Sequence, residues 1–343
     1  MNTPWMVAGV AIALSVTALA SCSREAAGTA STTSGMASSA ATVQASTATA
    51  GTAAPGGSTV PKRRMEAFTP PPDSTIPDDK FGAMVREGRD IFTNTRKYAG
   101  PYVGNGLNCE NCHLDAGRRA NSAPMWAAYV RYPRYRPKNG KVNTFAERLQ
   151  GCFRFSMNGK APPADSEVIK ALTTYSYWLA SGAPTGRNLE GYGYPKQGFE
   201  PPEPPDYTRG RTVYADHCAL CHGEDGQGQK VEGEYVFPPL WGPESFNWGA
   251  GMGNINNAAA FIKANMPLSR GGTLSDQDAW DAAMFMDAHE RPQDPRFAGN
   301  VAATRKQYHD SKWSLYGKEV NGHLLGSGAT APKPRAAGAP GQG

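Results

Sequence analysis

Six cysteines stand at positions 22, 109, 112, 152, 218 and 221. Four of them fall in two short runs, Cys109-Glu110-Asn111-Cys112-His113 and Cys218-Ala219-Leu220-Cys221-His222. Each run is C-x-x-C-H, the spacing at which two thiols attach a haem c and the next histidine ligates its iron. One such run can arise by chance or bind zinc. Two in one chain, in matching settings, point to two haem c groups, with His113 and His222 as proximal iron ligands. Each iron then has a sixth position to fill. After the second motif the candidate is Met266, in Ala264-Asn265-Met266-Pro267, 44 residues beyond His222. Met252, Met284 and Met286 are the alternatives, the last two reading as core side chains. Asn265 is placed to hydrogen-bond locally or to stand in for the methionine. After the first motif no Met-Pro occurs at the matching distance. Cys152 does, 39 residues beyond His113, in Glu147-Arg148-Leu149-Gln150-Gly151-Cys152-Phe153. Gly151 lets the backbone approach a haem closely. The competing reading makes Cys152 a buried structural thiol and Met157 the ligand.

Ligand type sets the chemistry. A cysteine thiolate pushes electron density onto iron and lowers its potential; methionine raises it. Axial ligands and surroundings move haem potentials over roughly 0.8 V. A Cys152 site beside a Met266 site therefore gives electrons a direction, from the first haem to the second. Charge divides the chain in the same way. Residues 114–160 hold ten Lys/Arg and two acids, whereas 206–296 hold seven Lys/Arg and thirteen acids. The basic stretch around Cys152 concentrates small anions, and the acidic one steers towards a basic partner such as a soluble cytochrome. Net charge over all 343 residues is only +5, and no motif points to nucleic acid.

The elements that must position these residues repeat once. Gly88-Arg89-Asp90-Ile91-Phe92 precedes the first motif and Gly210-Arg211-Thr212-Val213-Tyr214 the second. Each reads as a short helix with a glycine followed four residues later by an aromatic. Sixteen residues separate Phe92 from Cys109 and three separate Tyr214 from Cys218, so the first copy has an insertion. A later amphipathic helix is expected in each copy: Ser166 to about Ala180, with Ile169, Leu172, Tyr175, Trp178 and Leu179 on one face, and Ser275 to about Ala288, with Ala279, Trp280, Ala283, Met284 and Met286. The fold expected is all-α: two class I cytochrome c-like domains, 66–190 and 206–322, each around one covalently bound haem. The Gly/Pro-rich segment 191–205 reads as a linker, and 323–343 as a disordered tail.

Residues 1–22 read as an export signal with an apolar core over 7–20. Leu19-Ala20-Ser21-Cys22 resembles a lipobox, making Cys22 a lipidation site; the plainer reading is cleavage after Ala18-Leu19-Ala20 with Cys22 unmodified. Residues 23–65 are Ala, Ser, Thr and Gly with few large apolar side chains, the composition of a tether. Haem c is attached outside the bacterial cytoplasm, so a periplasmic protein held to the membrane through a lipid anchor alone is expected.

The stretch from Asn108 to Lys160 resembles the thiosulfate dehydrogenases, dihaem cytochromes c that join two thiosulfates into tetrathionate. The resemblance rests on Cys109-Glu110-Asn111-Cys112-His113-Leu114, Ala123-Pro124-Met125-Trp126, Tyr132-Pro133-Arg134-Tyr135-Arg136, the run around Cys152, and Ser156-Met157-Asn158-Gly159. Asn265-Met266-Pro267 and Gly271-Gly272-Thr273-Leu274-Ser275 extend it into the second domain. It implies His/Cys ligation at the catalytic haem, His/Met ligation at the other, and an external cytochrome c, soluble or membrane-bound, as electron acceptor. Some members carry lysine before the methionine and can switch ligand; Asn265 departs from that pattern.

Thiosulfate is a dianion, so coupling two of them means overcoming repulsion and removing two electrons. Guanidinium groups pair bidentately with oxyanions. Cys152, Arg148 and Arg136 are the expected catalytic residues, and Arg134, Gln150, Ser156 and Lys160 the expected substrate contacts. Two other readings remain from sequence: a dihaem electron carrier, and a Sox-type cytochrome that conjugates thiosulfate onto a carrier protein. The direction of net reaction, oxidation of thiosulfate or reduction of tetrathionate, is open.

Overall fold

The computed structural model describes residues 65–330. The signal, Cys22 and nearly all of the 23–65 tether lie outside the described residues. The main helices are α1 (Lys80–Thr93), α2 (Met125–Tyr129), α3 (Phe145–Phe155), α4 (Glu167–Leu179), α5 (Tyr207–His217), α6 (Ile255–Asn265), α7 (Asp276–Asp287) and α8 (Val301–Tyr308). Three small antiparallel hairpins accompany them: β1 (Arg134–Arg136) with β2 (Lys141–Asn143), β3 (Gln229–Val231) with β4 (Glu234–Phe237), and β5 (Glu319–Val320) with β6 (His323–Leu324). The expected all-α character therefore holds for the body, with hairpins confined to connections.

Helix starts follow from capping side chains. Thr144 Oγ1 accepts from the Glu147 amide at 3.2 Å, and Glu147 Oε2 accepts from the Thr144 amide at 2.6 Å, which fixes the first turn of α3. Ser275 and Asp278 make the same reciprocal pair at α7. Asp79, Ser166 and Asp206 cap α1, α4 and α5.

The repeat seen in sequence is a repeated helix crossing. α1 packs on α4, and α5 on α7. A Cβ on Gly88 would stand 2.1 Å from the Ala171 carbonyl oxygen and 2.7 Å from Tyr175 Cβ. A Cβ on Gly210 would stand 2.0 Å from the Asp281 carbonyl oxygen and 2.9 Å from Phe285 Cβ. Each glycine is thus the point where two backbones touch. One turn later the aromatic of each copy enters the core: Phe92 meets Tyr175 at 5.9 Å and Tyr214 meets Phe285 at 5.2 Å between ring centroids. The apolar face predicted for α4 is buried throughout, and Ala279, Trp280, Ala283 and Met286 bury that of α7 while Met284 is only partly covered.

Two boundaries change. The linker 191–205 is not a free connection. The carbonyls of Gly191 and Gly193 accept from Asn121 and Ala123 amides at 2.7 and 2.9 Å. Tyr194 packs on Phe261 and Phe199 stacks on Trp280. The tail expected at 323–343 begins later, because residues up to 330 fold onto the second half. Leu325 is buried, and the Glu290 carboxylate accepts from the amides of Gly326, Ser327 and Gly328 at 2.7–3.1 Å. An apolar anchor and a carboxylate satisfied by three amides outweigh the Gly-rich composition.

Overpacking a crossing costs about 1–3 kcal/mol. Gly88→Val and Gly210→Val should each lower the thermal unfolding midpoint measurably, by several degrees, with Gly→Ala milder in direction but still destabilising. Thermal melts of the haem-loaded variants check this.

Candidate functional site

α3 carries the first site. Arg148 and Cys152 are four apart, so one helical turn places both on one face. Arg148 Nη1 donates to Cys152 Sγ at 2.8 Å. The guanidinium is held above its ordinary pKa, first by the adjacent charge of Cys152 and against the cost of its own burial. His113 lies in the same interior. Its Nδ1 stands 2.7 Å from the Ala123 carbonyl, which orients the ring and leaves Nε2 free. Burial pushes the imidazole down to about 4, with Arg148 adding to the shift and Ala123 opposing it. It is therefore the neutral ring that an iron ligand needs. Burial also pushes the Cys109 and Cys112 thiols up to about 12, and the charge of nearby Cys152 adds to both. A half-buried pair of thiols, a neutral histidine with one nitrogen free and a third sulfur close to both thiols fit a haem c.

The second site is a cavity of about 430 Å³ whose lining includes Cys218, Cys221, His222 and Met266. His222 Nδ1 stands 2.9 Å from the Pro238 carbonyl, again leaving Nε2 free, and burial lowers its pKa. Leu240, Phe246 and Ile262 supply apolar wall. This too fits a haem c. Met252 and Met286 border the same cavity, whereas Met284 does not. Leu107, Cys112 and Leu114 border it from the first half, so the two sites share a wall. Asn265 is buried, its Nδ2 donating to the Asn121 and Phe261 carbonyls at 3.1 Å each. Its amide is thus committed to local hydrogen bonds, the first of its two expected roles. Among the described residues no three His, Cys, Asp or Glu converge as a zinc site requires.

A third space, about 830 Å³, opens beside α3. Of the residues expected from sequence, Arg136, Arg148, Gln150 and Ser156 line it. Arg134, Lys160 and Cys152 itself do not; Cys152 borders the space only through its neighbours Gly151 and Arg148. Arg134 is exposed on β1, paired across the hairpin with Asn143, and the exposed Lys160 is held by its amide on the Tyr102 carbonyl. The structure supplies cations that sequence reasoning passed over: Lys138, Lys141, Arg154 and, from the second half, Arg296. Lys138 sits between β1 and β2. Its Nζ donates to the Gly249 carbonyl at 2.5 Å and lies 4.3 Å from the Phe155 ring centre. Enclosure of that ammonium, with Arg296, Arg148 and Arg136 nearby and only Asp294 opposing, pushes it down to about 7. The one acid in the lining, Glu147, is occupied by the α3 cap. Lys138 was legible as part of the basic stretch; nothing near Arg296 in the sequence marks it.

Two family models match the chain. Residues 89–185 match "SoxA/TsdA, cytochrome c domain", and residues 205–286 match "Cytochrome C oxidase, cbb3-type, subunit III". The chain is 64% identical to a thiosulfate dehydrogenase of Thiomonas intermedia over 78% of its own length and 85% of that protein's. It is 59% identical to one of Stutzerimonas stutzeri over 76% and 85%. A solved thiosulfate dehydrogenase of Marichromatium purpuratum superposes with a TM-score of 0.74 at 51% identity, covering 77% of this chain and 58% of that one. Two cytochrome c domains with two haem c sites, and relatives this similar, establish that the chain belongs to the thiosulfate dehydrogenase family.

Proposed function

We propose that this protein oxidises two thiosulfates to tetrathionate in the cationic cavity beside Cys152 and passes the two electrons to an external cytochrome c. The observation that carries the reading is the 2.8 Å contact from Arg148 Nη1 to Cys152 Sγ at the edge of a cavity lined by six Lys/Arg side chains. An electron carrier has no use for such a cavity. Cys109, Cys112 and His113 would hold the first haem and Cys218, Cys221 and His222 the second, with Cys152 and Met266 as the further sulfur donors. Bound, the two haems supply two one-electron acceptors, the Cys152 side at lower potential than the Met266 side.

The chain's own residues do the rest. Arg148 and Arg136 bind the sulfonate end of the first thiosulfate and offset its charge. The Cys152 thiolate bonds to the terminal sulfur as two electrons leave, giving a cysteine S-thiosulfonate. A second thiosulfate attacks the sulfane sulfur of that adduct. The sulfur–sulfur bond to Cys152 breaks, tetrathionate departs with both sulfonates, and the thiolate is restored. No proton is gained or lost. The same steps in reverse reduce tetrathionate. The reading includes export and lipid anchoring at Cys22, which keep the protein at the membrane face where an electron acceptor lies.

Purified, haem-loaded protein should turn over thiosulfate with ferricyanide, or tetrathionate with a reduced viologen; silence in both directions with both haems intact would overturn the reading. Cys152→Met should keep two haems and the fold while turnover falls by at least about 1,000-fold, as removal of a nucleophile does. Arg148→Gln should lower kcat/KM by about 100-fold, the effect of losing a buried charge-assisted hydrogen bond. Wild-type rates in either variant count against the mechanism.

Lys138 adds a pH dependence. Its folded pKa lies below that of a free lysine, so the charged form is half-populated near 7 and complete only on the acid side of that. A bound dianion favours the charged form. The KM for thiosulfate should accordingly be lowest on the acid side and rise as pH passes through 7, while Lys138→Arg, charged throughout, flattens the profile. Steady-state kinetics from pH 5 to 9 test this.

A further inference from the structure

Arg296 is presented to the cavity from the opposite half of the molecule with unusual fixity. Its Nε and Nη2 donate to the two Asp294 carboxylate oxygens at 2.9 and 2.6 Å. Asp294 is buried and also lies 2.9 Å from His309 Nε2. The guanidinium is placed between rings, 4.8 Å from the Phe155 centre and 4.3 Å from the Tyr308 centre. Nη1 has no hydrogen-bond partner among the described residues. Lys138 reaches the same Phe155 ring from the β1–β2 side, and its only hydrogen bond among the described residues is to the Gly249 carbonyl. No carboxylate forms a salt bridge with Lys138 among the described residues. Two cations from distant parts of the chain therefore converge on one aromatic surface, one oriented by a carboxylate and the other bound only to a carbonyl. Arg296 is paired with its own acid, Asp294; Lys138 has no such acid among the described residues, and folding alone does not explain an ammonium placed there beside a second cation.

We propose that Lys138 and Arg296 form a second anion station, separate from the Arg148/Arg136 station beside Cys152, which receives the attacking thiosulfate and holds the outer sulfonate of tetrathionate. The inference rests on the reaction proposed above. Two dianions must be held at once without sharing one cation, and the product keeps a sulfonate at each end. One station between α3 and β1 and one at the junction of the two halves meet that requirement. The first half alone is then an incomplete site.

The test is kinetic and chemical together, on haem-loaded enzyme. Arg296→Gln should raise the KM for both thiosulfate and tetrathionate by about tenfold or more, the loss of a charge-assisted contact, with the haem spectrum unchanged. After mixing with thiosulfate and ferricyanide, peptide mass analysis should show the Cys152 S-thiosulfonate accumulating in the variant, because its formation uses the inner station and its removal needs the outer one. Arg296→Lys should recover part of the affinity. Wild-type KM values in Arg296→Gln overturn the proposal. So does loss of adduct formation, which would assign Arg296 to the inner station. If Arg296→Gln does not fold, because Asp294 loses its partner, Lys138→Gln removes the other cation of the same station, and the same two readouts decide. Failure of the wild-type enzyme to act on either substrate is a different result and refutes the reaction itself.

Discussion

A guanidinium 2.8 Å from the half-buried sulfur of Cys152 is the constraint on which the first site turns. Placing a charge there is costly unless a partner accompanies it. Arg148 and Cys152 meet that condition for each other, and they can do so only if α3 is regular over the turn that separates them. The reciprocal Thr144–Glu147 cap fixes one end of that helix. The other end is fixed from across the molecule. Asn247, in the second half, donates through its amide to the Phe155 carbonyl and through Nδ2 to the Arg154 carbonyl. The Cys152 sulfur is thus positioned by a helix whose two termini are secured by different halves of the chain.

Much of this was legible in the sequence because it rests on local spacing. The C-x-x-C-H runs, the i,i+4 relation of Arg148 and Cys152, the helix starts at Ser166 and Ser275, and the apolar face of α4 need no tertiary information. Gly88 and Gly210 were visible as a repeat, but their reason, a backbone-to-backbone crossing, belongs to the folded state. Arg134 and Arg136 show the limit of composition. They lie two apart on β1, yet only Arg136 lines the cavity, since a basic stretch names cations without saying where the strand directs each one. Arg296 was invisible for the converse reason. Its neighbours in sequence are acidic and its value arises where α3 and the second half meet. Leu325 and Tyr194, buried within segments of Gly-rich composition, were hidden by the averages around them.

The segment 191–205 joins the sites physically as well as in sequence. Tyr194 lies near enough to Cys112, Arg148 and Cys152 for their charges to bear on its phenol, whose pKa burial raises far above the usual range. Its ring meets Phe261 edge-on at 5.6 Å, and Phe261 lines the cavity of the second motif. One residue earlier in this segment, the Gly193 carbonyl holds the Ala123 amide, and the Ala123 carbonyl orients His113. The Asn121 carbonyl holds Asn265, next to Met266. Ligand candidates of both sites are therefore braced on one short stretch, residues 121–123, which limits how far either can shift without the other.

These contacts bear on how the two halves divide the work. If the second half only relayed electrons, any cytochrome domain with an apolar contact face could replace it. The geometry sets stricter terms. The second half donates the Gly249 carbonyl that receives Lys138, the Asn247 amide that ends α3, the Asn265 side chain that reaches Asn121, and Arg296 in the cavity wall. Each of these acts on the Cys152 side of the molecule. The Cys152 side is thus built by both halves: the haem motifs divide between two domains, but the cationic cavity does not.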